Sequence, residues 1–201
     1  MSEVKKMSLK TSKHTQLLAK TAMELFQSSG YDKVSVRQIC CAAGVPRSTF
    51  YTVFSGKADI LVYSLQSVKE NFQQSMSGFI TAANDFERIW FLTNAFLSRA
   101  AEVGPELCKA YFILELQHSC ELFDILEAFN DWIVQLLANC QSSGIVGIKG
   151  NPAELVPIQL NLAKAILFDW VRSDGSFPLR ETVRKNIEIF LDVKPQYRAG
   201  A

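Results

Sequence analysis

The sequence predicts an all-α protein of about nine helices, and three observations predict it. Apolar residues recur at i, i+3, i+4 and i+7 in one segment after another. Ser, Asn, Pro and Gly stand where helices start and stop. No segment alternates apolar and polar residues for long enough to make a strand.

Residues 1–11 are polar, lysine-bearing and without periodicity, which predicts a disordered basic arm. A first helix runs from about Ser12 to Ser28, with Leu18, Ala22, Leu25 and Phe26 on one side and Gly30 closing it. Ser35 is the next N-cap, with Gln38 three residues on to complete a capping box. Val36, Ile39 and Cys40 form that helix's stripe, which ends at Ala43 and Gly44. Val45 and Pro46 turn the chain into a short helix from Arg47 to Phe54. It carries Phe50 and Phe54 on one side and Arg47, Ser48, Thr49, Tyr51 and Thr52 elsewhere. Ser55, Gly56 and Lys57 open a long fourth helix striped by Leu61, Leu65, Val68, Phe72 and Phe79, a connector suited to transmitting movement between two regions.

Asn84 or Asp85 caps the following helix, with Phe86, Ile89, Trp90, Thr93, Phe96, Leu97 and Ala100 inward. Gly104 breaks it, and Pro105 suits the first turn of another that reaches about Ser119. Leu122, Ile125, Leu126, Phe129, Ile133, Leu136, Leu137 and Cys140 make the cleanest stripe in the chain. Residues 141–151, with Gly144, Gly147 and Gly150, read as a loop. Asn151, Pro152 and Glu154 start a helix to about Ser173. Pro178 and Glu181 start the last one, with Leu179, Val183, Ile187, Phe190 and Leu191 aligned. The tail over 194–201 is expected to fray.

An apolar fraction of 48% with 20% charge fits an ordinary globular protein. No run of about 18 apolar residues occurs, so no membrane partner is expected, and no apolar run follows the N-terminal lysines as a secretory signal requires. The expected location is cytoplasmic. Five cysteines, an odd count, form no spaced pair of the kind zinc or redox sites use. They read as reduced thiols, with Cys41 a candidate redox sensor, and no metal or other cofactor is expected. Charge is segregated. Residues 1–57 hold nine basic and three acidic residues, a balance of +6, whereas the remaining 12 basic and 17 acidic residues give −5. A polyanion is therefore expected to meet the N-terminal end only.

Two short helices joined by a Gly-containing turn have the geometry that lays the second helix into the DNA major groove. Here the motif also carries a chemical likeness. The run Ile39, Cys40, Ala43, Gly44, Val45, then Phe50, Tyr51, Phe54 and Lys57, after an amphipathic helix ending in Gly30 and Tyr31, resembles the TetR family of bacterial transcriptional regulators. The likeness covers roughly residues 15–61. The segment Asp169, Trp170, Asp174, Gly175, Phe177, Pro178, Leu179 is similar to that family's junction between its last two helices.

The resemblance implies a homodimer with a DNA-binding domain over 12–57, a helical ligand-binding and dimerisation domain over 58–193 and a flexible tail over 194–201. It places Ser35, Tyr51 and Lys57 on phosphates of double-stranded operator DNA, Lys57 at the N-terminus of the fourth helix. Arg47, Ser48, Thr49 and Thr52 would face base edges, with Arg47 suited to a guanine, and Arg37 joins the DNA-binding set. Pro46, Val53, Cys41 and Ala42 depart from the family's usual cap, histidine and charged residues at those positions.

Residues 80–175 are rich in aromatics with interspersed polar groups, which suits a site for a largely apolar small-molecule effector. Trp90, Phe112, His118 and Trp132 are the candidate lining residues. The helix from 152 to 173 is apolar on two faces, Leu155, Ile158, Leu162 and Ile166 on one and Leu160, Ala163, Leu167, Trp170 and Val171 on the other. Leu160, Ala163, Leu167, Trp170, Val171, Val183, Ile187 and Phe190 are the expected dimer-interface residues.

The expected function is a ligand-responsive repressor that a small molecule releases from a near-palindromic operator. An activator of the same fold is the first alternative. A helical-bundle metalloenzyme is another, since Glu115 and His118 stand at i, i+3, but its second Glu-x-x-His is missing because His14, the other histidine, lacks the Glu. A helical adaptor that binds no DNA does not account for the charge segregation.

Overall fold

The computed structural model describes residues 13–72, 76–118 and 129–198, without the side chains of 66–72 and 118. Among these residues are ten α-helices: α1 (Lys13–Ser29), α2 (Val36–Ala43), α3 (Arg47–Val53), α4 (Lys57–Phe72), α5 (Ser77–Ile80), α6 (Asp85–Val103), α7 (Pro105–His118), α8 (Asn130–Ser142), α9 (Pro152–Arg172) and α10 (Leu179–Phe190). The described residues hold no strand, only a single antiparallel bridge between Val146 and Val193. No helix among them is long and apolar enough to cross a membrane. The chain divides into two compact units, Met1–Ser67 and Val68–Ala201, and α4 runs past the end of the first.

The first unit is built on the alternation of apolar residues along α1 to α4. Leu18, Phe26, Ile39, Phe50, Phe54, Ile60 and Leu61 are each 2% exposed or less. Burying each such side chain contributes about 1.5–3 kcal/mol, enough to hold helices too short to be stable alone. Phe50 and Phe54 pack with their rings tilted by 52° and centroids 5.7 Å apart, and Phe54 meets Tyr63 of α4 edge-on at 5.9 Å.

In the second unit α6 packs on α8 and α10, and α9 packs on α7, α8 and α10. Asn84 caps α6 through Glu87 N–H at 3.0 Å, and Asn151 caps α9 through Ala153 N–H at 3.0 Å with Pro152 in the first turn. Arg184 of α10 ties that helix to α6. Its guanidinium donates to Glu87 and, at 2.9 Å, to Glu188, and it lies over the Phe86 and Trp90 rings.

Three expectations differ from the fold, and part of another lies outside the described residues. Phe79 lies on the separate helix α5 rather than on the fourth helix, and Gly78, without a side chain, lets the α5 backbone lie against the Phe91 ring of α6. The first part of the stripe expected from Leu122 falls at 119–128, outside the described residues. Residues 194–198 do not fray. Lys194 N–H donates to Ile145 at 2.9 Å, Gly147 N–H to Asp192 at 2.8 Å and Arg198 Nε to Val193 at 2.7 Å, with Val146 and Val193 buried beneath.

The third difference concerns the dimer face. Leu160, Ala163, Leu167, Trp170, Val183 and Ile187, expected to meet a second copy, are 6% exposed or less within their own chain. Val171 and Phe190 are half-buried. The apolar face of α9 that contains Ala163 is the one covered by α7, α8 and α10. The opposite arc carries Ile158, Ala165 and Phe168 in the open.

Candidate DNA-binding surface

The surface begins with how α2 is closed at both ends. Ser35 N–H donates to Gln38 Oε1 at 2.8 Å, Gln38 N–H donates to Ser35 Oγ at 3.3 Å, and the Ser35 hydroxyl donates to Gln38 Oε1 at 2.7 Å. The capping box read in the sequence therefore forms. At the other end Val45 N–H bonds Cys40 O at 3.0 Å and Gly44 N–H bonds Cys41 O at 3.3 Å, the paired bonds of a Schellman motif. Gly44 has φ +64°, a left-handed conformation that glycine adopts without strain. This bend delivers the chain to Pro46 and α3. Pro46 supplies no side-chain cap, consistent with its departure from the usual Ser or Thr.

Helix α3 turns Phe50 inward, fully buried, with Val53 half-buried beside it. Arg47, Ser48, Tyr51 and Thr52 are all exposed. At 100° per residue these four fall within one arc of about 140°. Thr49 sits at the edge of that arc, half-buried, and its carbonyl accepts the Thr52 hydroxyl at 2.7 Å. Arg47 lies over Tyr51, its guanidinium carbon 6.0 Å from the ring centroid, and a hydrogen bond to Tyr51 pushes the arginine's pKa up. Tyr51 is 51% exposed and meets Phe50 edge-on at 5.3 Å, so its ring is fixed from one side and open on the other. Arg37 is exposed on α2.

Lys57 stands first in α4, but its ammonium points inward. It donates to the carbonyls of Tyr31 at 2.7 Å, Val34 at 3.3 Å and Asp32 at 3.4 Å. An ammonium has three donors, and three carbonyls engage them. The expected phosphate contact therefore has only the Lys57 backbone to draw on in this conformation. Ser35 is similar, since its hydroxyl proton is given to Gln38.

The candidate lining residues of the second unit have the following neighbours among the described residues. Trp90 lies beside Arg184 of α10, with 5.4 Å between ring centroid and guanidinium carbon. Phe112 of α7 meets Phe168 of α9 edge-on at 5.8 Å. Trp132 is 51% exposed and packs against Phe79 and Phe129. His118 lies outside the residues whose side chains are described. No group of three or more His, Cys, Asp or Glu able to hold a metal occurs among the described residues. Gln159, one of the polar groups interspersed among the aromatics but not among the expected lining residues, is a fully buried amide on α9. Its signal is a lone Gln on the otherwise apolar face that Val156, Leu160 and Ala163 share.

Residues 18–63 match the family model described as bacterial regulatory proteins, tetR family. No curated protein matches the chain significantly. Among solved structures, the fatty acid degradation regulator FadR from Bacillus halodurans aligns with 90% of this chain and 96% of its own at 20% identity and a TM-score of 0.64. FadR from Thermus thermophilus in complex with lauroyl-CoA covers 93% and 98% at 20% identity, with a TM-score of 0.60. A putative transcriptional regulator from Saccharomonospora viridis in complex with choline covers 89% and 95% at 19% identity, with a TM-score of 0.67. At these identities the likeness is one of fold.

Proposed function

As a member of the tetR family of bacterial regulatory proteins through its N-terminal domain, the chain is, we propose, a dimeric repressor that a small molecule releases from a near-palindromic operator. One observation carries the DNA-binding part: the single exposed arc of Arg47, Ser48, Tyr51 and Thr52, backed by buried Phe50. A rigid short helix with polar groups on its open side is what direct readout of a groove requires. In this reading Arg47 reads a guanine edge, Ser48 and Thr52 meet neighbouring bases, and Tyr51 and Arg37 hold phosphates. Lys57 and Ser35 contribute through their backbone and by fixing α2. Thr49, at the rim of the arc, borders the groove.

Two copies are needed to span a two-fold operator. The second copy packs on the outer arc of α9 and on α10, where Ile158, Phe168 and Ile189 are 51%, 53% and 61% exposed. Exposed apolar side chains grouped on adjacent helices suit such contact. The effector enters the second unit. The solved relatives named above hold an acyl-CoA in one case and choline in another, so the shared fold accepts different ligand chemistries.

DNase footprinting on the upstream intergenic DNA tests this. Two protected half-sites with centres about 34–36 Å apart are expected. A single unpaired patch, or no protection at low salt, counts against it.

A further inference from the structure

Four polar or charged side chains are buried among the described residues: Thr15, Thr93, Gln159 and Glu188. Three of them have partners. Thr93 donates to the Ile89 carbonyl at 3.0 Å, Glu188 accepts from Arg184 at 2.9 Å, and Thr15 is likewise engaged. Gln159 is different. It is 0% exposed, and neither Nε2 nor Oε1 has a hydrogen-bond partner among the described residues. An amide taken from water loses several hydrogen bonds, and folded chains rarely leave both halves of one unmade. Asn130, at the start of α8, has its buried Oδ1 in the same condition. Both residues belong to the second unit, on helices that pack together, and the described residues of the first unit contain no such group.

Gln159 sits on the buried side of α9 with Val156 before it and Leu160, Ala163, Leu167 and Trp170 after it. That arc carries no charge. Arg184 of α10, a half-buried cation in the same unit, is already engaged by Glu87 and Glu188. We propose that the Gln159 amide is the recognition group for the effector, and that it binds an uncharged group presenting a hydrogen-bond donor and an acceptor side by side, as a lactam, imide or carboxamide does. This rests on the ligand-responsive reading given above. Oε1 accepts and Nε2 donates, so only a paired donor and acceptor satisfies both in one closed ring of two bonds. A carboxylate offers acceptors alone and sets negative charge against Oε1. An ammonium offers donors alone. Either ion would also enter an apolar arc with no countercharge, which is strongly unfavourable. The remainder of the effector is apolar, matching the side chains along the arc.

Thermal denaturation of the full chain with four seven-membered-ring probes tests this: ε-caprolactam, cycloheptanone, cycloheptylamine and cycloheptanecarboxylate. Each is used at roughly 20 mM, because fragments of this size bind in the millimolar range. Caprolactam is expected to raise the wild-type midpoint by about 2–4 °C, cycloheptanone by less and the two ions least. In Gln159→Leu the advantage of caprolactam over cycloheptanone disappears, and Gln159→Met, which keeps the chain length without donor or acceptor, gives the same result if the leucine variant folds poorly. Equal gains from caprolactam in wild type and variant, or no advantage over cycloheptanone in the wild type, overturn the proposal. Binding of the variants to upstream DNA is measured alongside. Intact DNA binding with a lost lactam preference supports the site. Absent DNA binding by the wild type overturns the regulator reading that the proposal rests on, whatever the probes show.

Discussion

The ammonium of Lys57 lies 2.7 Å from the carbonyl oxygen of Tyr31 and 4.2 Å from the centroid of the same residue's ring. One lysine at the start of α4 thus grips a residue 26 positions upstream, just before the Ser35 cap of α2. The same turn gives up its Val34 and Asp32 carbonyls to it. Lys57 fixes the entry to the helix-turn-helix by hydrogen bonds and by ring contact together.

Replacing Lys57 by Met is expected to destabilise the protein by about 1–3 kcal/mol, because three carbonyls lose a charged donor. Urea denaturation measures it. Salt titration of DNA binding separates this role from a phosphate contact. The slope of log affinity against log salt stays unchanged if the lysine acts internally, and falls by about one if its ammonium holds a phosphate.

Gly44 has φ +64°, and nothing lies within 4 Å of where a Cβ would stand. The cost of Gly44→Ala is therefore conformational rather than steric, about 1 kcal/mol. Gly44→Asn is expected to cost less, since Asn tolerates the left-handed region better. Denaturation midpoints of the two variants check the order.

Ile158 is 51% exposed on α9, on the face proposed to meet a second copy. Ile158→Arg is expected to leave the far-ultraviolet circular dichroism and monomer fold intact while shifting sedimentation from dimer to monomer. DNA affinity then falls with it. A dimer that survives this substitution places the interface elsewhere.

Cysteine reactivity follows burial. Burial pushes the Cys108 and Cys140 thiols up to about 12, and Cys40 is also raised, whereas Cys41 is exposed. The thiolate is the reactive form, so iodoacetamide at neutral pH is expected to modify Cys41 well before Cys40, Cys108 or Cys140 in the folded protein. Peptide mass mapping after timed labelling reads the order directly.

The helices and the local closures of α2 were legible in the sequence because they depend on neighbours. Ser35 and Gln38 are three residues apart, and Gly44 closes the helix it follows. What depends on distant partners was not. Nothing local to Lys57 reveals carbonyls at 31, 32 and 34. A helix apolar on two sides shows that both are covered but not by what, which is why Leu160 and Ala163 were assigned to a partner copy that their own chain excludes. The Val146 and Val193 bridge joins segments 47 residues apart and converts an expected frayed tail into a bound one. On α3 the side-chain types were legible, while the half-burial of Thr49 came from packing alone.

In the proposed function it is the exposed arc of α3 that reads DNA sequence. Fluorescence-anisotropy titrations of wild type and Arg47→Ala against the operator-bearing upstream duplex and an unrelated duplex, at one salt concentration, test it most directly. Operator affinity is expected to be lower by about 1–3 kcal/mol in the variant, roughly 5- to 150-fold, with the unrelated duplex affected far less. Equal operator affinity for the two proteins contradicts it.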